Sequence, residues 1–224
     1  MNFATPILSA EPVISAVIPN EPIASAEIAI PTLKPTMTRA ELEAFSRHAK
    51  QARSVIEFGC GHSTNEFIRL GVARVMSVDS DPEWLDRLER IPALGRAKAR
   101  GRLSLIHGDI GPVGAWGKPS DKSLRGRWSS YVMAPWQLAP MFKPDLVFVD
   151  GRFRAACTLS AYMFGPPHVT VMVHDFWNRT AYHSVLQFSE VVEEVERLAV
   201  LRPKPDLNHR DLAAAMRRTL GDQR

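Results

Sequence analysis

Short, almost continuous apolar runs alternate with segments of helical periodicity along the middle of the chain. Five of these runs are predicted strands, at residues 54–58, 74–78, 103–107, 145–149 and 169–173. A further strand is predicted late in the chain, at residues 198–201. Strands that are apolar throughout and separated by helices are typical of a parallel sheet with helices on both faces. The pattern therefore predicts an α/β fold.

The helical segments carry recognisable start signals. Thr38 is a predicted N-cap, with Glu41 three residues later in the position that completes a capping box. Ser80 or Asp81 is predicted to cap another helix, which has Pro82 in its first turn. Further helices are predicted from about residue 64, from about residue 181 and over residues 212–220.

Acidic side chains follow four of the predicted strands. These residues are Asp79, Asp109, Asp150 and Asp175. In open parallel sheets, ligands bind beyond the carboxyl ends of the strands, and these ends lie along one edge. The sequence thus predicts an acidic ligand site at that edge.

A glycine-rich turn follows the first strand, in the stretch SVIEFGCGHST. A dinucleotide-binding turn has the pattern G-x-G-x-x-G, and its third glycine is replaced here by Thr64, after Gly59 and Gly61. Glu57 would also repel a pyrophosphate lying close to the turn. Both features disfavour a nucleotide-dependent oxidoreductase, which is kept as a third hypothesis.

The stretches IEFGCGHST, SVDSDPEW, HGDI and VFVDG together resemble the class I S-adenosylmethionine-dependent methyltransferases, over about residues 40–205. The resemblance implies a doubly wound, mostly parallel seven-stranded sheet of the Rossmann-like methyltransferase type. S-adenosylmethionine is cationic and carries no phosphate, so an acidic site suits it. Ser63 lies where the family often has a third glycine. DIGPVGAWG and VDGRFRAAC further resemble a bacterial methyltransferase-like group whose substrates are not established.

The resemblance also implies a set of residues that bind the cofactor. Asp79 matches the acid that holds the ribose, and Asp109 matches the acid on the adenine side. Glu57 is expected to face the amino group, and the glycines allow close approach of the backbone. The full predicted set is Glu57, Gly59, Gly61, Ser63, Asp79, Ser80 and Asp109, with His62 as a further potential donor.

The ends of the fourth and fifth strands supply the candidates for catalysis. A hydroxyl acceptor needs a base, and the candidates are Asp150, His174 and Asp175. Arg152 and Arg154 are predicted to bind an anionic part of the acceptor if the segment is extended, whereas they would splay apart in a helix. A metal bound by the two acids, as in the catechol-type enzymes, is a minor alternative, and no metal site is assigned.

Two segments lie outside the alternating pattern. Residues 1–35 contain no Lys or Arg before residue 34 and are interrupted by proline, so they are predicted to form an extended arm. Residues 36–224 then form the methyltransferase-like domain. Within it, residues 110–144 carry three tryptophans and are predicted to be a lid or insertion over the strand ends.

The composition of the chain indicates which classes of binding partner to expect. The 224 residues have a formal charge of +4, two cysteines and no cationic leader followed by an apolar core. We therefore predict a cytoplasmic protein with a small-molecule acceptor, no membrane span and no nucleic acid, and with the arm available for homo-oligomer contacts. The leading hypothesis is an O- or N-methyltransferase of a small acceptor, which the basic residues favour as anionic. The second hypothesis is a non-catalytic protein that binds S-adenosylmethionine or adenosylhomocysteine.

Overall fold

A computed structural model describes residues 30–222 of the chain. The predicted arm at residues 1–35 therefore lies mostly outside the described residues. Strands within the described range are β1 (Ser54–Phe58), β2 (Arg74–Asp79), β3 (Leu103–His107), β4 (Val113–Gly114), β5 (Lys118–Pro119), β6 (Leu146–Val149), β7 (Thr170–Val173), β8 (Ser189–Val195) and β9 (Leu198–Pro203). Its α-helices are α1 (Arg39–Gln51), α2 (His62–Arg69), α3 (Pro82–Glu89), α4 (Pro92–Ala99), α5 (Ser129–Leu138), α6 (Arg154–Phe164) and α7 (His209–Thr219).

Seven of these strands form one sheet in the order β3-β2-β1-β6-β7-β9-β8. The first five strands in this order are parallel to one another. Strand β9 pairs antiparallel with both β7 and β8. The predicted α/β fold with a mostly parallel seven-stranded sheet is confirmed. The order reverses between β1 and β6, and ligand sites in open α/β sheets lie at such reversals.

Alternate residues of the strands enter two separate cores. Val55 packs with α1 and α2 on one face of the sheet, in a cluster that includes Phe45 and Phe67. Ile56 packs on the other face, in a cluster with residues from α5, α6 and α7. Burial on both faces explains why these strands are apolar at every position.

The predicted N-terminal caps of two helices, α1 and α3, are present in the structure. The Thr38 hydroxyl accepts from the Glu41 N–H, and the Glu41 carboxylate accepts from the Thr38 N–H, which completes the capping box. Asp81 caps α3, with Pro82 at its first position. None of the helices in residues 30–222 combines the length and the apolar character that a membrane span requires.

Outside residues 110–144, three elements were missed in the sequence. The segment SEVVEEV forms β8 because an edge strand needs only one partner and keeps its charged side chains in water. Helix α4 has a weak apolar pattern, with Leu94 and Ala97 as its buried residues. Helix α6 begins at Arg154, immediately after the fourth predicted strand end.

The segment 110–144 divides into two unequal parts. Its second part is α5, whose Tyr131 and Trp136 are buried in the core. The lid or insertion over residues 110–144 stays a prediction. Trp128 is buried as well. Only the first part, with the β4–β5 pair, stays at the surface, and its Trp116 is 87% exposed.

Candidate functional site

The glycine turn after β1 is held by the neighbouring strands. Gly59 has φ +99°, and a Cβ there would lie 2.5 Å from the backbone nitrogen of Gly151, so a larger residue would not fit. Its N–H donates to the Val78 carbonyl at 2.8 Å. At Gly61, in contrast, an added Cβ would meet nothing within 4 Å. Gly59 therefore joins the turn to the sheet, while Gly61 faces open space.

Glu57 does not face that open space. Its side chain is fully buried and accepts hydrogen bonds from the hydroxyls of Ser63 (2.5 Å), Thr64 (2.6 Å) and Ser77 (2.6 Å). Burial raises the pKa of Glu57 to about 7, and the three hydroxyl donors limit that rise. Both side chains are thus bonded to each other beneath the turn, and their contact with the cofactor stays a prediction.

Asp79 lies at the end of β2, beside the turn. Its carboxylate accepts from the backbone N–H of Cys60 at 3.1 Å and from that of Asp81 at 3.1 Å. Burial raises the pKa of Asp79, although these N–H donors act against the rise. A carboxylate has about four lone-pair positions, so about two remain for a ligand.

Two other predicted cofactor residues have different roles. Ser80 is buried and its hydroxyl donates to the Gly117 carbonyl at 2.9 Å, so it holds the loop after β4 and is not free to bind a ligand. Asp109 is half exposed, accepts from the Gly111 N–H and pairs with Arg127. The hydrogen bond from Gly111 is the largest influence that lowers the pKa of Asp109. Asp109 remains accessible but is already neutralised.

The predicted base His174 is enclosed between two carboxylates. Its Nδ1 lies 2.9 Å from Asp150 Oδ1, and its Nε2 lies 3.4 Å from Glu41 Oε2. Burial alone would lower the pKa of His174, but the hydrogen bond that its ring donates to Asp150 and the charges of the nearby carboxylates raise the pKa overall. Both ring nitrogens of His174 therefore face carboxylates, and its predicted role as a general base stays a prediction.

Asp175 is the centre of a second set of ion pairs. Its carboxylate lies 2.7 Å from Arg179 and 2.7 Å from Arg197, and 3.6 Å from Arg154. Burial would raise the pKa of Asp175, but the surrounding cations lower it overall. Its φ is +53°, a conformation that costs a non-glycine residue on the order of 1 kcal/mol and that the ion pairs hold in place.

A metal ion would have to compete with arginine at this position. Single ligand atoms of Asp150, His174 and Asp175 lie within 4.8 Å of one another, which is compatible with a divalent cation. The Arg154 guanidinium, however, lies 3.0 Å from Asp150 Oδ1 and also pairs with Asp175. A guanidinium between the two acids already supplies the positive charge, so the arrangement favours an ion-pair network over a metal site.

Arg152 and Arg154 do not act as a pair. Arg154 is the first residue of α6 and is 4% exposed, and it donates to the carbonyls of Gly151, Asp150 and His174. Its guanidinium is thus bonded within the fold, and its binding of substrate stays a prediction. Arg152 lies outside the helix and lines a cavity of about 370 Å³. The start of α6 separates the two side chains.

Several residues of this region carried no signal in the sequence. Lys118, Arg179 and Tyr182 line the same cavity as Arg152, and together the four residues come from three separate parts of the chain. Glu41 was recognised only as part of a capping box, although its carboxylate also accepts from Arg197 at 3.0 Å. The packing of α1 places Glu41 beside His174 and Arg197, although these residues are far apart in the sequence.

Comparison with known proteins supports the fold more than the reaction. The chain matches no protein-family model and no curated protein sequence. It is similar to the crystal structure of a methyltransferase-like protein from Silicibacter pomeroyi, with 28% identity and a TM-score of 0.73, over 85% of this chain and 98% of that one. The structure of cofactor-bound Rv0187 from MTB is 17% identical with a TM-score of 0.52, over 78% of this chain and 84% of that one.

These likenesses agree with the reversal of strand order between β1 and β6, with the glycine turn after β1 and with the acid that ends β2. The chain therefore has the fold of the class I S-adenosylmethionine-dependent methyltransferases.

Proposed function

We propose that the protein is an S-adenosylmethionine-dependent methyltransferase that acts on a small-molecule acceptor through oxygen or nitrogen. The fold and the 28% identical methyltransferase-like protein support this assignment. The observation that carries it is Asp79, a desolvated carboxylate with unused lone pairs that is bonded to the N–H of Cys60 in the turn.

The residues present fit this cofactor. Gly61 leaves open space above the turn, where a bulkier side chain would intrude. The Nδ1 atom of His62, the first residue of α2, is buried and has no hydrogen-bond partner among residues 30–222. Asp79 can accept hydrogen bonds from vicinal hydroxyls such as those of a ribose. A neutral or cationic nucleoside suits such a site better than a nucleotide does.

Each residue has a defined task in this proposal. The cofactor supplies, when it is bound, an electrophilic methyl group on a sulfonium sulfur. Asp79 and the turn hold the nucleoside in a fixed orientation, because in-line transfer depends chiefly on positioning. Asp150 is the most exposed of the three predicted bases, at 23% of its side chain, so it is the residue that accepts the acceptor's proton. His174 orients Asp150 from behind.

Calorimetry with adenosylhomocysteine tests the cofactor assignment. Asp79→Asn removes charge-assisted hydrogen bonds worth about 1.5–3 kcal/mol, so its affinity should fall at least about tenfold. Asp86→Asn is the matched control, since Asp86 is exposed on the adjacent helix α3. If the wild-type protein does not bind adenosylhomocysteine but binds a nicotinamide dinucleotide, the proposal is refuted. If both variants lose the same affinity for adenosylhomocysteine, Asp79 is not part of the binding site.

A non-catalytic binding protein is the second candidate. The observation that favours it is the ion-pairing of all three predicted bases, since Asp150 is bonded to both His174 and Arg154. Methyl transfer across a panel of phenols, amines and carboxylates, followed by mass spectrometry, separates the two. In an enzyme, Asp150→Asn should lower turnover while affinity for adenosylhomocysteine stays within about twofold. A binding protein should show no transfer at all.

A further inference from the structure

The cavity beside the strand ends is lined chiefly by cationic and polar side chains. Its volume is about 370 Å³, within the lower range of small-molecule sites. The polar lining consists of Lys118, Arg152, Asn178, Arg179, Thr180 and Tyr182. None of these residues is acidic, although acids are abundant a few residues away. The cavity is therefore electrostatically different from the rest of the strand-end region.

The arginines of this region differ in how their charge is balanced. Arg154, Arg179 and Arg197 each pair with Asp175 within 3.6 Å. Arg152 forms no ion pair with any described residue, and its Nε atom is buried without a hydrogen-bond partner in residues 30–222. Burial, and next the charge of Arg154, lower the pKa of Arg152. Keeping a partly desolvated guanidinium without a counter-ion costs free energy. An anion that pairs with this guanidinium would therefore be bound favourably.

Lys118 adds a second unneutralised charge from another part of the chain. It follows Gly117, whose carbonyl accepts from the Ser80 hydroxyl next to Asp79. Its ammonium forms no salt bridge with any residue in the described part of the chain. Arg179 is already paired with Asp175, so Lys118 and Arg152 account for most of the excess positive charge in the cavity.

The position of the cavity connects it to the proposed reaction. Arg152 follows Gly151, which packs against Gly59 of the glycine turn, and Lys118 adjoins the loop bonded to Ser80. Both cations thus extend from segments that contact either the glycine turn or the residue that follows Asp79. Asp150, the proposed proton acceptor, is two residues before Arg152. The lining of the cavity includes none of the proposed cofactor residues, so an acceptor anchored there would leave the cofactor site free.

We propose that this cavity is the acceptor's anchoring subsite and that it binds an oxyanion, a carboxylate or a phosphate, on the molecule to be methylated. The inference rests on the proposed function and adds the chemical class of the substrate. The planar fork of Arg152 suits two oxygens of either anion, and Lys118 contributes a point charge. Asn178 and Thr180 supply neutral donors on the same wall.

Two simple probes, inorganic phosphate and benzoate, test the subsite. In protein labelled with ¹⁵N, the arginine Nε–H signals are followed during titration, and the Arg152 signal is assigned by its loss in Arg152→Lys. The inference predicts a saturable shift of that signal with at least one probe. The stronger of the two probes identifies the anion. The shift should persist in saturating adenosylhomocysteine, because the two sites are adjacent and separate.

Affinity for the effective probe should fall at least about tenfold in Arg152→Gln and in Lys118→Gln. Lys118 is exposed, so its substitution tests the subsite even if Arg152→Gln destabilises the fold. Arg217→Gln is the control, since Arg217 lines a second basic cavity, of about 270 Å³, with Arg125 and Arg218. Its affinity should equal that of the wild type.

Three results would overturn the inference. They are no shift of the Arg152 signal with either probe, equal weakening in Arg217→Gln, and competition between the probe and adenosylhomocysteine. Calorimetry with adenosylhomocysteine alone keeps the two proposals apart. If adenosylhomocysteine binds and the anions do not, only the subsite fails. If the anions bind and adenosylhomocysteine does not, the proposed function fails, and the cavity loses its role as an acceptor site.

Discussion

Glu57 offers a direct test of how the glycine turn is held. Its carboxyl group is completely buried beneath the turn and is surrounded by three hydroxyl donors. Because burial raises its pKa from an ordinary value of 4.5 to about 7, the native state retains a proton that the unfolded chain releases. Stability should therefore fall as the pH rises from about 4.5 to about 7, and level off above that range.

The size of the effect follows from the two pKa values. One pKa unit corresponds to about 1.36 kcal/mol, so the full loss is roughly 3 kcal/mol. Between about pH 5 and about pH 8, the expected loss is about 2.5 kcal/mol. Glu57→Gln removes this ionisation and keeps the shape, because an amide can accept from two hydroxyls and donate to the third. The variant should lack this part of the pH dependence.

Urea unfolding of both proteins at about pH 5 and about pH 8 gives the required difference. The free energy of unfolding of the wild type, minus that of Glu57→Gln, should fall by about 2.5 kcal/mol between the two pH values. Subtracting the variant cancels every other titrating group. Glu190→Gln, on the exposed edge strand β8, is the matched control for removing a carboxylate that is not buried. A change below about 1 kcal/mol for Glu57 would refute the reasoning, since the carboxylate would then be ionised at little cost.

Two further predictions concern the backbone around the site. Gly59→Ala should destabilise the protein by more than about 2 kcal/mol, because its Cβ would be 2.5 Å from the neighbouring turn, whereas Gly71→Ala, with φ +87° and open space, should cost only about 1 kcal/mol in urea unfolding. If the two variants lose equal stability, the positive φ alone accounts for the loss at Gly59, and the short contact adds nothing. Adenosylhomocysteine should shift the fluorescence of Trp116, which is exposed and has φ +62°, if the loop bonded to Ser80 closes on the ligand. Trp116→Phe should abolish that shift, and a full shift in the variant would assign it to Trp84 near the turn and leave the loop as fixed structure.

Local chemistry made part of the fold predictable. The capping box of Thr38 and Glu41 and the proline-initiated helix after Asp81 depend on residues within one turn of each other. The parallel strands were recognisable because burial on both faces demands apolar residues throughout. Edge strand β8 was missed since its charged, half-solvated sequence satisfies no such demand. Helix α5 was not recognised within residues 110–144, because aromatic residues suit a core and a ligand site equally well.

The sequence by itself determined the α/β fold, the glycine turn and the acid at the end of β2, because each follows from neighbouring residues and from the rule that parallel strands end at one edge. Only the tertiary structure decided which polar groups remain free for a ligand. Glu57 and Ser63 satisfy each other inside the turn, whereas Arg152 is left without a partner at the wall of a cavity. A charged or polar side chain pairs with the donors and acceptors that lie nearest to it in the folded chain. A sequence names those groups, but the packing of distant segments decides which of them meet.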